Sequence, residues 1–172
     1  AAAQAANPWL RAETRHFTFF SDGSEEELRD LARQAERFDA LLRLQFGVPL
    51  NDSPRRLDVF MLRSGREVAQ MMNEQSLAGF YSASSECSYI VTHRGWTMGG
   101  LDLTGQVTLF HEYTHHFMYR HLAGGWPAWY REGFAEYVST VTFAAAGRWT
   151  LGRPAQPRMP PAPTRRGTMP AR

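Results

Sequence analysis

The stretch LFHEYTHHFMYRHLAGGWPAWYREGFAEY, residues 109–137, constrains this chain more than any other. Leu109, Phe110, Phe117 and Met118 recur with helical spacing, so the first part reads as a helix with one face in a core. Residues 122–125, LAGG, break that pattern, and Pro127 suits the first turn of a second helix. One helix is therefore expected from about Thr104 or Gly105 to His121, and another from Pro127 to about Thr142. Gly133 would let the backbone pack closely where the two helices meet.

Within the first helix His111, Glu112 and His115 form the pattern HExxH. Positions i and i+4 lie about 40° apart around a helix, so both imidazoles leave one face and can share one ion. Glu112 is rotated about 100° from His111, which sets its carboxylate beside such an ion as a base for water. Neutral imidazole suits zinc, and a catalytic zinc keeps three protein ligands and one open position. The second helix offers the third ligand, Glu132, with Glu136 one turn on. Glu136 is then placed to hydrogen-bond the far nitrogen of a ligand histidine and fix its tautomer. HExxH fixes only three of five positions, and a solvated helix face could carry it. The apolar flanks and the carboxylates at the right offset argue for the metal site, because an unpaired buried Glu is costly.

The other histidines are not assigned as ligands. His116 points about 100° away from His115 and reads as structural or surface. His121 suits the negative end of its helix, and His16 and His93 fall on expected strands without a partner visible in sequence. Trp126, Trp129 and Tyr130 read as core rather than as cleft lining.

Upstream, HFTFF (16–20) and LDVFML (57–62) alternate as strands, and AGFYSAS and CSYIVTH read as two more, paired around residues 84–86. Ser24 with Glu27 forms a capping box for a helix through Leu28, Leu31, Ala35, Phe38 and Leu42, closed by Gly47 and Pro49. Ser64 with Glu67 forms another for a short helix to about Met72. Gly95, Gly99 and Gly100 mark a loop before the HExxH helix. Strands first and a helical pair later give an α+β fold in one domain.

No run of about 18 apolar residues is present, so no membrane span is expected. Cys87, the only cysteine, excludes an intrachain disulfide and a cysteine metal cage, and reads as a buried or half-buried small apolar residue. The net charge of +2 divides into +5 from a Pro/Arg-rich tail, 153–172, and −3 from the rest. Disorder explains that tail better than nucleic-acid binding does. Residues 1–8 read as a flexible leader. Their alanine-rich start fits the remainder of a cleaved signal and favours an exported or periplasmic location.

FHEYTHH followed by PAWYREGFAEY resembles the peptidase MA-like domain of bacterial gluzincins, zinc metallopeptidases of HExxH…E type. The similarity extends over about residues 9–152, with the two helical motifs its specific part. It implies a zincin-like fold, a small mixed sheet packed on the metal helix, and one Zn²⁺ held by His111, His115 and Glu132. It also implies hydrolysis of peptide bonds with Glu112 as general base and then proton donor, and Glu136 supporting a histidine. An extended peptide or protein substrate would pair with an edge strand above the metal helix, for which SYIVTH (88–93) is the candidate. Such domains commonly continue into a helical or repeat domain. Gluzincins usually add a Tyr or His downstream of the third ligand to stabilise the oxyanion. Residues 153–172 contain neither, which leaves Tyr137, Tyr81 and Tyr89 as candidates. It also leaves a second reading, a zinc-bearing binding or scaffolding domain with lost or weak catalysis.

Overall fold

Leu57, Val59 and Met61 are buried while the residues between them are only partly so, and this alternation makes β3 (Leu57–Leu62) the middle of a five-stranded sheet. The computed structural model describes residues 9–50, 55–74, 77–84, 87–98 and 101–152. The expected leader 1–8 and the tail 153–172 lie outside these, as do Ser85, Glu86, Gly99 and Gly100.

The sheet runs in the order β1 (Leu10–Glu13), β2 (Phe17–Ser21), β3, β5 (Ser88–His93), β4 (Phe80–Ala83). The three inner strands are parallel and both edge strands are antiparallel. SYIVTH is therefore not an edge: β5 pairs with β3 on one side and with β4 on the other. Its apolar run Ile90–Val91, buried on both faces, is what an inner parallel strand requires. The edge beside the HExxH helix is β4. Residues 10–13, LRAE, alternate half-buried apolar and exposed charged residues over only four positions, a run short enough to pass unread as a strand until its pairing with β2 is seen.

Helix α1 (Glu25–Phe46) starts with the complete capping box of Ser24 and Glu27 and stops at Gly47, whose φ of 66° suits a residue without Cβ. Its whole expected face is buried. Helix α2 (Gly65–Met72) has only half of the expected box. Ser64 accepts from the Glu67 N–H, but the Glu67 carboxylate accepts from the N–H of Arg63 instead of Ser64.

The glycine-marked loop forms a small hairpin, β6 (Gly95–Met98) with β7 (Leu101–Thr104), that leads into α3 (Gly105–His121). Helix α4 (Ala128–Ser139) ends three residues earlier than expected, because β8 (Thr142–Phe143) pairs with β9 (Trp149–Thr150). Among the described residues no helix is long and apolar enough to cross a membrane.

Phe38 of α1 stacks on Phe110 of α3 at 4.1 Å between centroids, joining the two helices over the sheet. A charged network is buried beside them. Arg43, 1% exposed, bonds both oxygens of Asp39 through Nε at 2.8 and 2.7 Å and donates to the Pro49 carbonyl. The Tyr113 hydroxyl of α3 donates to Asp39 as well. Burial, and then the Asp39 charge, push that hydroxyl well above the usual tyrosine range, so it stays a donor.

Candidate metal centre

Helix α3 is aimed by its first turn. Thr104 caps it by accepting from the Val107 N–H at 3.2 Å, and a Cβ on Gly105 would stand 1.7 Å from the His93 carbonyl oxygen. Only glycine lets the helix begin this close to the end of β5. His93 is fully buried there, its Nε2 3.2 Å from the Thr108 hydroxyl, so it anchors the helix. Leu109, Phe110, Tyr113 and Phe117 then face the core, which leaves His111, Glu112 and His115 along the rim.

The three expected ligands are brought together. His111 Nε2 and His115 Nε2 lie 3.2 Å apart, and each lies 3.4 Å from Glu132 Oε2. Tetrahedral coordination with bonds of about 2.0–2.2 Å spaces its ligand atoms by about 3.3–3.6 Å, so this nearly equilateral triangle fits zinc. Glu136 Oε2 lies 3.5 Å from His111 Nδ1, the nitrogen turned away from the triangle. Burial, and then the neighbouring His111, lower the pKa of His115, which favours the neutral imidazole a metal needs.

Glu112 stands beside the triangle under the edge strand. A Cβ on Gly79 would lie 2.5 Å from Thr108 Cγ2, 2.8 Å from the Val91 oxygen and 3.7 Å from Glu112 Cγ. The missing side chain therefore lets the start of β4 settle on α3. The Tyr81 N–H donates to the Glu112 carboxylate. Burial nonetheless outweighs this and raises the Glu112 pKa above the ordinary 4.5, towards a usable base.

A cleft of about 670 Å³ opens over Glu112, His115 and Glu132. Trp126 lines it, 39% exposed, and Trp129 is 74% exposed, so these two are not core residues. Trp126 stacks on Tyr130 (4.9 Å, 21°) and Tyr130 on Phe134 (6.1 Å, 3°), a ladder whose inner end meets Phe46 of α1. Stacking at i, i+4 and i+8 holds the outer ring without enclosing it. Gly133 is likewise not a packing device, since a Cβ there would meet nothing within 4 Å.

The tyrosine candidates for the oxyanion are placed elsewhere. Tyr81 lines the cleft and shares the inner face with Phe19, Val59 and Ile90, but its hydroxyl lies 3.0 Å from His116 Nδ1. His116 is buried, its pKa lowered to about 3 by burial and then by Arg120, so the ring that shares this bond is neutral. Tyr89 packs against Phe60 and Phe80 on the opposite face. Tyr137 is exposed, with its ring against Gly152.

Cys87 is exposed, because it sits beside the turn into β5 rather than within the strand. His121, the last residue of α3, has its ring 4.8 Å from that of Phe117. His16 has found partners: Nδ1 is 2.7 Å from Glu36 Oε2 and 3.3 Å from Asp39 Oδ2. These three could hold an ion by distance alone, but Arg43 and Tyr113 already occupy Asp39, and the group reads as part of the buried network. Sequence reasoning missed Tyr119 and Arg131 at the cleft and Gly79 beneath β4. Arg131 was the most accessible of them, standing next to Glu132 in the chain. No model of a known protein family matches this chain, and no curated protein matches it.

Proposed function

We propose that the chain is a zinc-dependent peptidase of the gluzincin type with a zincin-like, peptidase MA-like fold. His111, His115 and Glu132 would hold one Zn²⁺, and Glu136 would orient His111. The triangle of donor atoms 3.2–3.4 Å apart, with a desolvated carboxylate beside it and a cleft above, carries this reading. When bound, zinc supplies a Lewis acid that polarises a carbonyl and makes water a nucleophile near neutral pH.

Glu112 takes the proton from the attacking water and returns it to the leaving amine, which its raised pKa favours. Edge strand β4, instead of residues 88–93, pairs with an extended peptide or protein substrate through its outer side.

One observation favours a second reading, a zinc-bearing binding or scaffolding domain with weak catalysis. Of the tyrosines considered, the Tyr81 hydroxyl bonds His116 and Tyr89 lies on the far face, so neither is placed to meet an oxyanion.

Zinc per chain in the wild type and Glu132→Ala tests the centre. The expected result is near one ion in the wild type and little in the mutant. Full occupancy in the mutant would mean another third ligand, and no zinc in the reconstituted wild type would end the metal reading. Glu112→Gln is expected to keep zinc and abolish cleavage of a peptide library. Unchanged turnover would remove Glu112 as base, while a zinc-loaded wild type without turnover would leave the binding-domain reading.

A further inference from the structure

The cleft is not chemically uniform. Its lining includes Glu112, His115 and Glu132 together with Trp126, two glycines and one arginine, Arg131. Eight described arginines reach a carboxylate within 4.0 Å or donate a hydrogen bond to a carboxylate or carbonyl oxygen: Arg29, Arg33 and Arg43 do so within their own helix, and Arg11, Arg37, Arg56, Arg63 and Arg94 do so across the surface. Arg15, Arg66, Arg120, Arg131 and Arg148 make no such contact among the described residues, and of these Arg131 lines this cleft. Successive residues on a helix diverge by about 100°, so Arg131 leaves α4 to one side of the ligand carboxylate. Its charge nevertheless reaches the triangle, since it is one of the influences that hold down the His115 pKa.

Part of the cleft lining is bare backbone. Gly124 and Gly125 bring no side chains, and the Trp126 ring lies against Gly124, 3.4 Å from where a Cβ would stand. A flat apolar ring and a guanidinium without an anion, lining one cleft, suit a short side chain or chain end that carries a carboxylate.

We propose that Arg131 is a specificity-determining residue, selecting peptides that present a carboxylate within the cleft that holds the metal centre. The carboxylate is either an acidic side chain or the free C-terminus. This rests on the peptidase reading of the same cleft and adds the substrate class to it.

The probes are labelled alanine-based hexapeptides in four forms: with Glu or Gln at one internal position, and with a free or an amidated C-terminus. Binding to zinc-loaded Glu112→Gln protein is read by fluorescence anisotropy, with and without Arg131→Gln, and cleavage by the wild type is read by mass spectrometry. Carboxylate-bearing peptides are expected to bind about 10-fold tighter than their amide counterparts at low salt. The preference should shrink as salt rises, vanish in Arg131→Gln with zinc content unchanged, and reverse towards the amide forms in Arg131→Glu. Dependence on the terminus alone assigns the chain end, and dependence on Glu alone assigns an internal acid. Equal binding of all four forms, no binding of any, a preference that survives Arg131→Gln, or zinc loss in that variant would each overturn the assignment. Cleavage without a carboxylate preference would defeat this inference and leave the peptidase reading standing. A carboxylate preference without cleavage by the wild type would do the reverse.

Discussion

Glu136 is 81% exposed and touches the proposed centre only through His111 Nδ1, 3.5 Å away. Its removal should spare the fold and weaken the metal. Glu136→Ala is expected to lower zinc affinity about 10- to 100-fold, as other carboxylates behind metal-binding histidines do. Chelator competition measures it, and an unchanged affinity with an unchanged melting temperature would make Glu136 a surface residue. At this scale the approach of the two histidines was legible because i, i+4 geometry is local: His111 and His115 meet wherever the helix goes. The fates of Tyr81 and Trp126 were not. Whether a ring reaches His116 or stands at a cleft mouth depends on which strand or helix lies opposite, and no local spacing encodes that.

Each expected helix is present, and each expected strand has a counterpart within a residue or two, because periodicity and capping are local signals. Order within the sheet was the weak point. SYIVTH reads as a strand from its own residues, but its place between β3 and β4 follows from a crossover that composition does not specify. The edge strand that matters lies on α3 through Gly79. Gly79→Ala would place a methyl 2.8 Å from the backbone oxygen of Val91 and 2.5 Å from Thr108, so β4 must lift. A loss of about 1–3 kcal/mol is expected, as for other overpacked sites, read from the urea midpoint. Loss of the bond from the Tyr81 N–H to Glu112 should accompany it. A neutral effect would show that β4 rests loosely.

The molecule as a whole buries several ionisable groups, and one of them gives stability a defined dependence on pH. His116 has a folded pKa of about 3, against the 6.5 of an unperturbed histidine. Between these values the unfolded chain binds a proton that the folded chain excludes, so stability rises with pH. The contribution is fully present above about pH 6.5 and is lost as pH falls towards 3, with a slope of up to about 1.4 kcal/mol per pH unit. Urea unfolding of metal-free protein at pH 4–8 should show this slope, and His116→Gln should flatten it. An equal slope in both would remove His116 as the source.

Helix α3 also carries Glu112 and Tyr113 side by side, one turned to the cleft and the other tied to Asp39 and the buried Arg43. What orients this helix is therefore separate from what lines the cleft on its surface. A lineage could exchange the rim residues, and with them its chemistry, while inheriting the scaffold unaltered. The reverse is closed to it, because a change at Asp39 would disturb the interior and the rim together.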